Sequence, residues 1–284
     1  KFWFRYVARL EPTQQSQQLL FGAAFHEGKG VYYTTGSEKK AIARAKKEIE
    51  EGRDRVDPDE WDMVMYKVPI LLKRWIKLFG QEDRKKYDFL MVEEEVIMRV
   101  PGTKFEVSAR PDAVVKVKDS SLKRVIVMET KTSQGSIRTT KDGVELGDQA
   151  TMYTWAASER FPGYKIVVQP DIAYWNKNTA NIDNVQFVRP DFVVRSSRDV
   201  EEFKQGLALL HTRLSQQVAA YETGKYPAAA LFPRNTYYCN AYFRRCEYAN
   251  ICRNKDISMK GRPPGGFERI SRQKKYELLD PTGD

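Results

Sequence analysis

A chain of 284 residues, 41% hydrophobic and 30% charged, is long enough and apolar enough to bury a sizeable core. No apolar run approaches the ~18 residues a membrane helix needs; the most apolar helical stretch, 63–79, is interrupted by Lys67, Lys73, Arg74 and Lys77. Its 48 basic against 38 acidic side chains, a formal +10, favour a polyanionic partner, and three cysteines confined to 239–252 argue against a secreted disulfide framework.

With Thr13 as N-cap, Leu19, Leu20, Ala23 and Ala24 recur at helical spacing and predict a helix over 13 to about 28. Residues 37–51, rich in Lys and Glu, predict a second, surface helix. Asp57-Pro58-Asp59-Glu60 is a strong helix start, and the pattern from Trp61 runs to Phe79 and Gly80, with Pro69 expected to kink or split it. Strand character begins near Tyr87 and continues to Val100, where Pro101-Gly102 turns the chain. Residues 105–117 and 123–131 predict two further strands joined by the polar turn at 118–122. Residues 132–147 read as a loop, 148–160 as a helix, 164–175 and 185–194 as strands, and 197 to about 224 as a long helix. A turn-rich segment carrying the cysteines follows, then a polar, basic tail from Lys255. Helices, three strands, a helix, strands and a helix predict an α/β fold with a mixed central sheet flanked by helices. The basic clusters at 39–47, 84–86, 244–245 and 272–275, each taken singly, read first as a solvated helix face or loop.

The chemistry concentrates in one hairpin. A turn centred between Ser120 and Ser121 sets Asp112 opposite Glu129, and directly opposed Cβ atoms lie ~4.5–5.5 Å apart, close enough for two carboxylates to share a cation. Lys131 follows Glu129 by two residues and so lies on the same face. Val125-Ile126-Val127-Met128 is apolar on both faces, which predicts a buried central strand ending at the site. Two carboxylates and an ammonium are what phosphodiester hydrolysis needs: oxygen ligands for a hard cation, and a positive group to orient the nucleophile or stabilise charge on phosphorus.

Asp112, then Glu129-Thr130-Lys131, then Gln149-x-x-x-Tyr153, preceded by Gly22-x-x-x-His26, resembles the RecB-like branch of the PD-(D/E)XK nuclease superfamily, in order and approximate spacing over about residues 1–252. The resemblance implies a restriction-endonuclease-like core and a divalent-metal-dependent DNA nuclease, in recombination, repair, phage replication or defence. It implies that His26, Asp112 and Glu129 hold Mg²⁺ or Mn²⁺, that Lys131 is catalytic, and that Gln149 and Tyr153 flank the site and contact DNA. Locally, Gly22 lets its helix approach the sheet, while a helical His such as His26, read alone, is more often a packing residue. Ala109 stands where the family usually has Gly, and Glu93, Glu94 and Glu95 occupy a strand where some relatives carry a further acid.

Cys239, Cys246 and Cys252 resemble the C-terminal part of the iron–sulfur staple of several such nucleases, in which a fourth cysteine lies upstream of the first helix. Here the closer position is Phe243, and three thiolates are an incomplete set for a cluster or for zinc. Three buried cysteines in a compact cap are the other reading. The chain lacks an initiator Met and reads as a fragment of a longer protein whose upstream part could supply the fourth ligand; the cluster and the buried-cysteine readings stand level. The expected organisation is one nuclease domain: an N-terminal helical region (1–86), the catalytic sheet with the Gln/Tyr helix (87–194), and the long helix, cysteine cap and basic tail (195–284). DNA is the expected partner, a membrane is not, and the compartment is the cytoplasm of a bacterial, archaeal or phage-infected cell. An exonuclease is expected; a structure-selective endonuclease and a non-catalytic DNA-binding protein of the same fold are the alternatives.

Overall fold

The computed structural model describes residues 3–134, 136–175, 185–234, 236, 239, 245–253 and 263–270. Arg244, Phe243 and the basic stretch 272–275 lie outside the described residues. The chain divides into two compact units, one of Lys1–Gln15, Pro101–Phe105 and Gly206–Asp284, the other of Ser16–Val100 and Glu106–Gln205.

In the first unit, β1 (Leu10–Pro12) pairs antiparallel with a strand at Phe267–Arg269, so the tail expected from Lys255 contributes a strand that its polarity hid. Ala8, Leu10, Tyr248 and Ile251 bury together, with Phe4 stacked on Tyr248 at 5.5 Å and Cys246 packed against the cluster. This is the cysteine-containing region.

The second unit opens with three helices. α1 (Gln17–Thr35) starts at Ser16 rather than the predicted Thr13, and Gly36, at φ +70°, ends it in the left-handed conformation glycine favours. α2 (Glu38–Glu51) is capped by the Ser37 side chain, which accepts from the Lys40 amide. α3 (Pro58–Trp75) starts at Asp57, whose side chain accepts from the Asp59 amide. The split expected at Pro69 does not occur: the helix runs through it to Trp75, because burial of Val64, Val68, Leu71, Leu72 and Trp75 outweighs the hydrogen bond the ring removes. A wider turn (Ile76–Gly80) and α4 (Gln81–Lys86) lead into the sheet.

The stretch expected as one strand to Val100 is two, β2 (Tyr87–Val92) and β3 (Val96–Arg99), separated where Glu93 takes φ +52°. Likewise 105–117 splits into β4 (Glu106–Ala109) and β5 (Ala113–Val117) around Arg110-Pro111-Asp112, since Pro111 has no N–H for a ladder. β3 and β4 form their own ribbon. β6 (Arg124–Ser133) is the central strand. The predicted loop at 132–147 contains a helix, α5 (Ile137–Leu146); its inward residues Ile137, Thr140, Lys141 and Val144 recur at helical spacing, but two of them are polar and Gly143 is internal, so the segment read as a loop. α6 (Asp148–Arg160) matches its prediction and precedes β7 (Lys165–Tyr174). Of the strand expected over 185–194, only β8 (Gln186–Val188) pairs, with an isolated bridge from Val193 to Val168. α7 (Ser197–Glu222) is the long helix.

The main sheet is mixed, in the order β2-β5-β6-β7-β8, with β6 and β7 parallel and the other neighbours antiparallel. β5 and β6 pair Ala113 with Met128, Val114 with Val127 and Val115 with Ile126, the register of a turn centred between Ser120 and Ser121. Strand alternation sends Ile126 and Met128 into the core shared with α1 and α3, and turns Val125, Val127, Glu129 and Lys131 the other way, on the side where α6 packs. Among the described residues, no helix is long and apolar enough to cross a membrane.

Candidate metal centre

Three chain segments converge at the end of the β5–β6 pair. α1 approaches closely because two of its residues lack side chains: a Cβ at Gly22 would lie 3.3 Å from Thr132 Oγ1, and one at Gly30 would lie 3.0 Å from Glu93 Cγ. Between them, His26 reaches Asp112, its Nδ1 2.9 Å from Asp112 Oδ1. The other Asp112 oxygen accepts the Thr130 amide at 2.6 Å, so this carboxylate is fixed by both a helix and the central strand. Glu93 stands where β2 breaks from β3, and its amide donates to the Asp112 carbonyl at 3.1 Å. A left-handed conformation is costly for a residue with a Cβ, and its occurrence at an acidic side chain facing this cluster marks a constrained position. Ligand atoms of His26, Glu93 and Asp112 all lie within 4.8 Å of one another.

Glu129 stands beside that group. Its Oε1 pairs with Lys131 Nζ at 2.5 Å, and its Oε2 is buried with no hydrogen-bond partner among the described residues. Burial first, and the Asp112 charge second, push the Glu129 carboxyl up to about 7 from its ordinary 4.5, with Lys131 opposing. Glu93 is raised by the same two causes and held back by Arg110. Burial works against ionised Asp112, yet His26, Lys29 and the Thr130 amide outweigh it and hold the carboxyl down at about 2. His26 is raised: burial pulls it down, and Asp112 more than compensates.

These observations fit a divalent cation. The donors are an imidazole and carboxylates, the buried Glu129 Oε2 lacks a partner among the described residues, and two carboxyls are displaced upward by burial first and by the Asp112 charge second, a repulsion that a cation would offset.

Lys131 Nζ also donates to Gln149 Oε1 at 2.6 Å, Gln149 Nε2 donates to the Tyr153 hydroxyl at 2.8 Å, and that hydroxyl donates to the Arg110 carbonyl at 3.2 Å. The Gln149-x-x-x-Tyr153 pair of α6 is thereby tied to both Lys131 and the segment leading to Asp112. Arg110, its side chain 56% exposed, donates from Nε to Glu93 Oε2 at 2.9 Å. All six residues singled out in sequence around the hairpin and its helices lie in this one region. The three cysteines lie in the other unit; Cys239 and Cys246 share a backbone hydrogen bond of 2.7 Å, and the three do not form a ligand cluster among the described residues. Glu93 is the member sequence reasoning left undecided: the left-handed residue breaks the period-two alternation, so no parity argument selects it from Glu94 and Glu95. Arg110 carried no signal beyond its charge.

No curated protein matches the chain. Among solved structures, a protein from Eubacterium rectale provisionally described as an exonuclease is similar at a TM-score of 0.45 and 10% identity, over 88% of this chain and 78% of its own. Residues 1–253 match the PD-(D/E)XK nuclease superfamily, and a match over that much of the sequence shows that the chain belongs to it.

Proposed function

We propose that the protein is a divalent-metal-dependent DNA nuclease of the RecB-like branch, hydrolysing phosphodiester bonds as an exonuclease. The observation that carries this reading is the convergence of His26, Glu93 and Asp112 next to a buried Glu129 whose Oε2 has no partner among the described residues, with Lys131 alongside. His26, Glu93, Asp112 and Glu129 hold Mg²⁺ or Mn²⁺; the imidazole among oxygen ligands suits the softer Mn²⁺ as well. A cation so held supplies polarisation of a phosphoryl oxygen and a bound water of lowered pKa.

The chain's own groups do the rest. Lys131, about a third exposed, presents a positive charge beside Glu129 for the negative charge that grows on phosphorus. Gln149 orients that ammonium and Tyr153 orients Gln149, so α6 fixes the geometry from one side while His26 fixes Asp112 from the other. The net charge of +10 draws the DNA backbone toward the protein with a strength that falls with salt. The deciding experiment incubates the protein with linear and circular, single- and double-stranded DNA, with and without Mg²⁺ or Mn²⁺. Loss of linear DNA only in the presence of metal, with circles intact, is the expected result. Cleaved circles would replace the exonuclease by an endonuclease of the same fold. Intact DNA of every form, with binding retained, would leave a DNA-binding protein without catalysis.

A further inference from the structure

Behind the metal cluster lies a second set of buried charges, none of which hydrogen-bonds a candidate ligand among the described residues. Lys29, three residues after His26 on α1, is 1% exposed. Its ammonium donates to Thr130 Oγ1 at 2.6 Å and to Asp171 Oδ2 at 2.7 Å, and stands 4.2 Å from the centroid of the Trp75 ring. Thr130 and Asp171 are direct register partners on β6 and β7, so one ammonium spans both strands. Asp171 Oδ2 also accepts from Trp75 Nε1 at 2.8 Å and from Arg189 at 3.2 Å, and Arg189 forks onto both oxygens of Asp83 at 2.6 Å.

Thr130 links this set to the site. Its hydroxyl accepts from Lys29 while its amide donates to Asp112 Oδ2 at 2.6 Å, and it sits between Glu129 and Lys131. His26 and Lys29 share a face of α1, one turn apart. The helix that offers the imidazole is therefore tethered, through Lys29, to the residue that holds the carboxylate the imidazole faces. A buried ion pair is a poor source of net stability, because apolar residues of similar volume commonly do as well or better. What it does provide is a fixed position, and outer-shell partners of this kind are worth about 10–100-fold in metal affinity.

We infer that Lys29 is a positioning residue for the metal site, acting through the Thr130 hydroxyl to set the registry of His26 against Asp112. The inference rests on the proposed metal role of those two residues. Its test is Mn²⁺ binding by calorimetry, without DNA, in wild type, Thr130→Val and Thr130→Ser. Valine keeps the shape and the amide and removes only the acceptor; serine restores it. Thr130→Val should weaken Mn²⁺ binding by about tenfold or more while melting cooperatively, and Thr130→Ser should bind within about twofold of wild type. Unchanged binding in Thr130→Val overturns the inference alone, as does equal weakening by serine, which would make the methyl group the cause. A wild-type chain that binds no Mn²⁺ overturns both this inference and the proposed function. Should Thr130→Val not fold, the wild-type protein still decides: the Lys29 ammonium resonance, shielded from solvent exchange, should shift on titration with Mg²⁺, and a resonance indifferent to Mg²⁺ overturns the inference.

Discussion

Two clusters of buried charge meet at Thr130, and they are built on opposite plans. On the α1 side, Lys29 and Arg189 face Asp171 and Asp83 through short, charge-assisted hydrogen bonds. Burial opposes ionisation of Asp171, but Lys29 and Arg189 overcome it and its carboxyl titrates below the usual range; Arg189 is raised by Asp83 and Asp171 in spite of its own burial. Every shift there favours the charged form. At the sheet end the directions are mixed: Asp112 is held ionised, whereas Glu129 and Glu93 are raised toward the neutral form, and Glu129 Oε2 has no hydrogen-bond partner among the described residues. The first cluster is complete in charge, two cations to two carboxylates, although Arg189 Nε is buried with no hydrogen-bond partner among the described residues. The second brings Glu93, Asp112 and Glu129 together, an arrangement that the proposed cation would complete.

Breaking the complete cluster should have the largest effect on stability. Asp171→Ala leaves Lys29 buried with its carboxylate gone, which typically costs about 3–5 kcal/mol. Urea unfolding without metal should show that loss, whereas Glu129→Gln, which removes a repelled charge, should leave stability equal or higher. Comparable destabilisation by both variants would erase the distinction between the clusters.

The next effect belongs to chemistry. Asp112→Ala and Lys131→Ala should each lower the rate of DNA cleavage by about 10²-fold or more, through loss of transition-state charge stabilisation, while DNA binding persists. DNA affinity in these variants should still fall steeply between low and moderate salt. Wild-type cleavage rates in Lys131→Ala would remove it from the site.

The contrast explains what could be read in the sequence and what could not. The hairpin register followed from a short polar turn between two apolar runs, and with it the meeting of Asp112, Glu129 and Lys131. Gly22 and His26 were legible as one face of a helix, and Gln149 and Tyr153 as another. Glu93 was not, because a left-handed residue between two strands resets the alternation on which such arguments depend. Lys29, Asp171 and Arg189 were not, because each looks like a surface residue until long-range partners 142 and 18 positions away are known. α5 escaped because two of the four residues on its inward face, Thr140 and Lys141, are polar, so the helical spacing of Ile137 and Val144 did not stand out.

A smaller effect separates the clusters by pH. Glu129 has its carboxyl raised from 4.5 to about 7, so in the folded protein its neutral form is favoured. Its contribution to stability is fully present below pH 4.5 and is lost as pH rises through about 7. In chelator, wild type relative to Glu129→Gln should therefore lose up to about 1.4 kcal/mol for each pH unit climbed within that window. Adding Mg²⁺ should flatten the difference, because a bound cation favours the ionised form and stabilises only the folded chain. A flat difference in chelator would mean that burial and the Asp112 charge do not raise the Glu129 carboxyl.

The smallest effect, and the one that tests the boundary between the clusters, comes from His26. It stands one turn before Lys29 on α1 but faces Asp112, with Nδ1 2.9 Å from Asp112 Oδ1, and its imidazole is the helix's candidate ligand. If it belongs to the incomplete cluster, its removal should act on metal affinity rather than on the fold. His26→Ala should then melt close to wild type and cleave DNA about tenfold more slowly in limiting Mn²⁺, by analogy with the loss of partners that orient a metal. In excess Mn²⁺ the deficit should shrink, since Glu93, Asp112 and Glu129 remain. A deficit that is the same at every metal concentration would assign His26 to a step after metal binding. A loss of stability as large as that of Asp171→Ala would instead move it to the complete cluster, as a helix residue whose hydrogen bond to Asp112 holds α1 to the sheet.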